Sequence, residues 1–148
     1  MNPKKLISVT LVENDTHFQF AFLIRQMVFV EEQKVKPEIE YDEYEGVSRH
    51  FLAWSGEAPV GVARWRHTDK GIKLERFAVF QELRGQGVGS QLLKAVIEDV
   101  GDPKGEIIYL HAQNQVIPFY EKYGFVVVGE EFEEAGILHH EMIYKPEL

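Results

Sequence analysis

The spacing of apolar residues changes period repeatedly along this chain, and each change marks an element. Residues 5 to 12 alternate well enough to predict a first strand. Asp15 or Thr16 can cap a following helix that runs to about Val30, with Phe18, Phe20, Ala21, Ile24 and Val28 near helical spacing. The acidic run Glu38-Ile39-Glu40-Tyr41-Asp42-Glu43-Tyr44-Glu45 has no sustained period and reads as a loop or a short turn of helix. It is either a solvated loop or an acidic lip that attracts a cation. Residues 50 to 54, 60 to 66 and 72 to 80 predict three strands joined by hairpin turns at 55 to 57 and 69 to 71, an antiparallel meander. Val88, Leu92, Val96 and Val100 then repeat every fourth residue beside Leu93 and Ile97, a helix that stops at Gly101-Asp102-Pro103. Residues 106 to 111 read as a strand, 115 to 123 as a short helix entered near Pro118 and closed by Gly124, and 125 to 132 and 137 to 145 as two last strands. The predicted order is β-α-β-β-β-α-β-α-β-β.

At 148 residues the chain fits a single domain over 1–148, large enough to bury a core without metals or disulfides. It has no cysteine, which removes thiol nucleophiles and Cys-based metal sites and makes the cytoplasm the expected location. Met1-Asn2-Pro3-Lys4-Lys5 followed by the short run from Leu6 to Val12 is neither a signal peptide nor a membrane span. A net charge of −8 argues against nucleic acid as a partner.

The segment with the most chemistry is Arg84-Gly85-Gln86-Gly87-Val88-Gly89-Ser90, which joins the third meander strand to the long helix. Alternate glycines admit an anion to the backbone, and the helix aims unpaired N–H groups and its positive dipole end at it. A nucleoside triphosphate site needs Lys-Ser or Lys-Thr after the last glycine, where this chain has Ser90-Gln91. A dinucleotide fingerprint needs a third glycine where Ser90 stands, early in a βαβ unit rather than after a meander.

The loop resembles the acetyl-CoA pyrophosphate loop of the GNAT superfamily of N-acetyltransferases, whose Arg/Gln-x-x-Gly-x-Gly/Ala pattern is met by Arg84, Gly87 and Gly89. Phe77-Ala78-Val79 ahead of it and Phe119-Tyr120-Glu121-Lys122-Tyr123-Gly124-Phe125 behind it extend the match at the family's usual separation. Arg25-x-x-Val28-Phe29-Val30-x-Glu32-Gln33, Ser48-x-His50-Phe51-Leu52-Ala53, Ala112-Gln113 and His139-x-x-Met142 are similar to the ElaA-like branch. The resemblance implies an α/β GNAT (acyl-CoA N-acyltransferase) fold, with a mixed, mostly antiparallel sheet of six to seven strands flanked by helices. It also implies direct acetyl transfer from acetyl-CoA to a small-molecule amine.

That chemistry needs a neutral amine, oxyanion stabilisation and a proton for the leaving thiolate. The resemblance places the pantetheine arm and thioester carbonyl on backbone N–H groups of Phe77, Ala78 and Val79, and the pyrophosphate on Arg84, Gly85, Gln86, Gly87, Val88, Gly89 and Ser90. Phe119 and Tyr123 become cofactor walls. Tyr120 matches the tyrosine whose phenol stands near the coenzyme sulfur as proton donor. Either Gln113 or Asn114 contacts the pantetheine arm, because Gln113 stands where the family often has Asn.

The base is Glu75, which alternation puts on one strand face with Phe77 and Val79, or His139. Arg25, Glu32, His50 and His111 are candidates for the acceptor pocket, buried ion pairing being the alternative for the first three. No metal is expected, since His139-His140-Glu141 alternate in direction along a strand. Ser90 lacks a nucleophile-elbow context. The remaining readings are a non-catalytic acyl-CoA sensor and an acyl-homoserine-lactone-synthase-like acyltransferase; a monomer and a homodimer both stay open.

Overall fold

The computed structural model describes residues 6–147, without the side chains of residues 38 and 39. Lys5, expected to open the first strand, lies outside the described residues, as do the outermost residues of the expected 1–148 domain. Seven strands form one sheet: β1 (Ile7–Leu11), β2 (Arg49–Ser55), β3 (Ala58–His67), β4 (Gly71–Val79), β5 (Ile107–Gln113), β6 (Phe125–Glu134) and β7 (Ile137–Tyr144). Their order is β1-β2-β3-β4-β5-β7-β6. Only β4 and β5 run parallel, because the helix between them carries the chain back across the sheet.

The helices are α1 (Asp15–Arg25), α2 (Pro37–Glu40), α3 (Val88–Val100) and α4 (Ile117–Glu121). Asn14, one residue before the expected caps, closes the start of α1 by accepting a 2.8 Å bond from the His17 amide. Beyond Arg25 the helix widens into a π-helical stretch, Gln26–Glu32, which no side-chain period announces.

Strand alternation sends two apolar sets to opposite faces. On one, Val88, Leu92, Leu93 and Val96 of α3 pack against Phe51, Ala63, Trp65, Ile72, Leu74, Leu110 and Met142. Leu92 and Leu93 are fully buried, each stabilising the fold by roughly 1.5–3 kcal/mol. Gly61 makes the approach possible, since a Cβ there would stand 3.1 Å from the Ala78 carbonyl, Leu92 and Val88. On the other face Ala21, Ile24 and Val28 cover Leu52, Val62 and Ala78, leaving the β4, β5 and β7 part of that face to polar residues.

Candidate acetyl-transfer site

β4 and β5 pair only from Gly71 and Ile107 to Leu74 and Leu110. Past that point they splay, each still paired to its outer neighbour, so the facing edges of 75–79 and 111–113 border a wedge, where the Val79 carbonyl accepts from Arg84 Nε at 3.0 Å. The wedge opens into a cleft of about 830 Å³.

A bulge in β4 shapes its wall. Arg64 pairs with Glu75 but Val62 pairs with Ala78, so β4 carries one extra residue, and Arg76 takes φ 60°. The expectation that Glu75 shares a face with Phe77 and Val79 is thereby corrected. Phe77 and Val79 turn to the α3 core, whereas Glu75 and Ala78 face α1.

The glycine loop is built as a cradle. Gly85 (φ 79°) and Gly87 (φ 88°) adopt left-handed backbone, and Gly87 begins α3 with no side chain capping its first amides. A Cβ on Gly89 would already touch Phe119 at 3.5 Å. Ser90 Oγ donates to the Gly87 carbonyl at 3.0 Å. Gln86 turns from the cleft to the Glu82 carbonyl, and the Val88 side chain is core, leaving these two only their backbone toward an anion. Arg84 Nη1 and Nη2 bond both oxygens of Glu32 at 2.7 and 2.8 Å, tying this loop to the end of the π-helical stretch.

Tyr120 lines the opposite wall, packed edge-on against Phe77, Phe119 and Phe125. Its hydroxyl makes no hydrogen bond among the described residues, yet it is not a fully enclosed atom. Burial pushes its pKa above the ordinary phenol value, so it stays protonated at neutral pH. Tyr123 and Phe119 continue this wall. At the end of β5, Gln113 faces the cleft and exchanges amide bonds with Gln33. Asn114 is turned away, donating to Glu131 at 2.6 Å and bonded to His140 Nδ1 at 2.8 Å.

The far end of the cleft gathers Glu75, His111, Glu134 and His139. His139 Nδ1 donates to the Ile137 carbonyl at 2.7 Å, which leaves Nε2 as the basic atom, 3.7 Å from Glu134. His111 lies between Glu134 and Glu141, at 3.2 and 3.3 Å. The hydrogen bond from His111, helped by the charge of Lys73, overcomes burial and holds the Glu134 carboxyl down to about 2. Glu134 escaped the sequence reading because it ends a strand of ordinary appearance; only the β6–β7 turn brings it over the cleft.

Arg25, Glu32 and His50, candidates for the acceptor pocket, do not line the cleft. Arg25 is 1% exposed and bonds Glu40 and Glu45 through 2.7–2.8 Å contacts. His50 Nε2 donates to the Glu45 carbonyl at 2.8 Å, and burial lowers its pKa. Arg64, 0% exposed, bonds Asp42 and Glu45, and Arg76 bonds Glu40 and Asp42. The run is, as expected, a short helical turn and loop with Glu43 exposed, but three of its carboxylates are ion-pair partners of buried arginines rather than solvated or free to attract a cation.

Burial opposes ionisation of Asp42, Glu45 and Glu75, but the neighbouring cations outweigh it and hold each below its ordinary value. At Glu40 burial wins and the pKa rises. A folded pKa below the unfolded one stabilises at high pH and loses that contribution as pH falls through it. Melting temperature is therefore expected to hold from about pH 7 to the ordinary carboxylate value of 4.5 and to fall steeply below it, Glu40 opposing in part. A flat profile across the acid range, measured by circular dichroism, overturns this account of the network.

The sequence profile of the family described as "Acetyltransferase (GNAT) domain" matches residues 8–146. The chain belongs to this family. It is 41% identical over 138 residues to YjcF of Bacillus subtilis, described as an uncharacterized N-acetyltransferase, covering 93% of this chain and 99% of the relative. Protein ElaA of Escherichia coli is 35% identical over 121 residues, 78% of this chain and 79% of its own. The crystal structure of that ElaA superimposes with a TM-score of 0.81 at 28% identity, over 93% of this chain and 99% of ElaA, which supports the ElaA-like branch.

As a GNAT acetyltransferase the chain uses acetyl-CoA, and its residues fit that group. The uncapped start of α3 and the left-handed glycines suit a pyrophosphate, and the open wedge edges offer strand-like partners to the amides of a pantetheine arm. No helix among the described residues is long and apolar enough to cross a membrane.

Proposed function

We propose that the chain forms one catalytic domain that transfers acetyl from acetyl-CoA to a primary amine by direct attack while both are bound. The observation that carries this reading is the single cleft joining the glycine cradle, the Tyr120 wall and the His139–Glu134 corner. When bound, acetyl-CoA supplies an activated thioester. Backbone N–H groups beside the β4 bulge would bond its thioester carbonyl, and the loop from Arg84 to Ser90 would hold its phosphates. Gln113, which lines the cleft while Asn114 bonds Glu131, is the side chain that would meet the pantetheine arm.

The two candidate bases separate on electrostatics. Glu75 faces Arg64, Lys73 and Arg76 within 3.2–3.9 Å and accepts from Arg66, so its carboxylate is a weak base. His139 presents Nε2 to the cleft with its other nitrogen anchored, and Glu134 stabilises the imidazolium formed when it takes the amine proton. Tyr120 donates a proton to the departing thiolate. The absence of cysteine fits attack without an acyl-enzyme and, with a reaction needing no disulfide, a cytoplasmic setting.

A thiol-release assay with acetyl-CoA against amino acids, polyamines, amino sugars, aminoglycosides and peptides tests the reading. Amine-dependent CoA release is expected for at least one class. Calorimetric binding of acetyl-CoA without release for any amine favours the sensor; no binding defeats both.

A further inference from the structure

A second cavity of about 470 Å³ adjoins the cleft at the β3–β4 turn, on the face of the sheet away from α3. Arg66 and Lys73 line both spaces and form the partition between them. They are register partners on β3 and β4, and Tyr109 of β5 pairs with Lys73 on its other side, so the three side chains form one row. Lys70 completes a trio of cations around the second cavity, whose lining holds one carboxylate, Asp69. These cations gather in one place on a chain of net charge −8, Arg66 and Lys70 being paired with Glu75 and Glu141.

The anions near this row are already engaged. Glu75 accepts from Arg66 and also faces Arg64 and Arg76, leaving Lys73 at 3.9 Å from it, beyond hydrogen-bond distance. Glu134, whose charge Lys73 also feels, is hydrogen bonded to His111. Glu141 receives Lys70 and His111. Arg66 is held flat over the Tyr44 ring, 3.7 Å from its centroid, with its side chain 12% exposed. Lys73, 14% exposed, lines both cavities with its Nζ 3.9 Å from the Glu75 carboxylate, an ion pair without a hydrogen bond.

Resting on the acetyltransferase reading, we infer that the acceptor is an amine bearing a distal carboxylate, which seats on Lys73 and Arg66 at the mouth of the second cavity. Phe77 lies four positions beyond Lys73 along β4, at most roughly 13 Å of backbone, since the bulge at Arg76 falls within the span. An α-carboxylate next to the attacking amine is too close to the thioester to meet that wall. Glu40, Asp42 and Glu45 of the acidic run are each bound to arginines, which weakens the case for selection of a polycation there.

Three amines of matched length test this: 6-aminohexanoate, hexylamine and 1,6-diaminohexane, which differ only in the group remote from the reacting amine. Wild-type kcat/KM for 6-aminohexanoate is expected to exceed the other two by about tenfold, one charge-assisted contact's worth. In Lys73→Gln that ratio is expected to fall toward one. Equal values for the three amines, a preference for the diamine, or a ratio unchanged in Lys73→Gln overturns the inference. A calorimetric arm with CoA-saturated protein separates it from the catalytic reading. Tighter binding of 6-aminohexanoate than of the diamine, weakened in Lys73→Gln, upholds the subsite even if no amine is acetylated; equal or absent binding there overturns it.

Discussion

Replacing Tyr120 by phenylalanine is expected to lower kcat by about 10²-fold or more while the KM for acetyl-CoA changes little. The ring is buried among Phe77, Phe119 and Phe125, so phenylalanine fills the same space, and the lost hydroxyl leaves no protein partner unpaired. Burial raises the phenol's pKa and thereby keeps the proton in place until a thiolate requires it. An unchanged kcat at saturating substrates, with chemistry limiting, removes Tyr120 from that role. The same assays distinguish the bases. His139→Gln is expected to abolish the acid limb of the kcat/KM profile, whereas a limb that survives there and disappears in Glu75→Gln reverses the assignment.

The second large effect is on stability. Arg64→Met is expected to destabilise the fold by about 3–5 kcal/mol in urea denaturation, because it removes the fully buried cation that Asp42, Glu45 and Glu75 share and leaves them the partial compensation of Arg76, Arg25 and Arg66. Arg49 offers the contrast. It bonds both oxygens of Asp99 at 2.7 and 3.0 Å, but its side chain is 49% exposed, and Arg49→Ala is expected to cost less than about 1 kcal/mol. Equal losses at the two positions refute the view that the Arg25–Arg64–Arg76 network is a structural unit closing the acceptor side of the cleft.

The elements with a clean period or clear end signals were legible in the chain: the meander, α3 with its four-residue repeat, the short helix read over 115 to 123 and found at Ile117–Glu121, and the last hairpin. Two features were not, for one reason. The β4 bulge and the π-helical stretch are each a single-residue insertion into a regular ladder, and local sequence has no distinctive mark for them because neighbouring strands and loops hold them in place. Arg76 illustrates this: nothing in Glu75-Arg76-Phe77 signals a left-handed residue, and its bonds to Glu40 and Asp42 from another part of the chain hold it there. The acidic run was misread on the same account, since its partners Arg25, Arg64 and Arg76 come from three separate elements.

The sequence by itself determined the donor side of this protein. Glycines in a turn before a helix act through backbone geometry, which is local, and so Arg84 to Ser90 read as an anion cradle from the chain alone; the resemblance of this loop and of the Tyr120 motif to the GNAT family then pointed to acetyl-CoA. The candidate acceptor side depended on the tertiary structure. His139 was legible as a candidate, but Glu134 at a hairpin end and Arg66 and Lys73 on adjoining strands are far apart or unremarkable in the chain. Strand pairing and the splay of β4 from β5 assemble them, and side-chain electrostatics, unlike a glycine's freedom, depends on which neighbours the fold supplies.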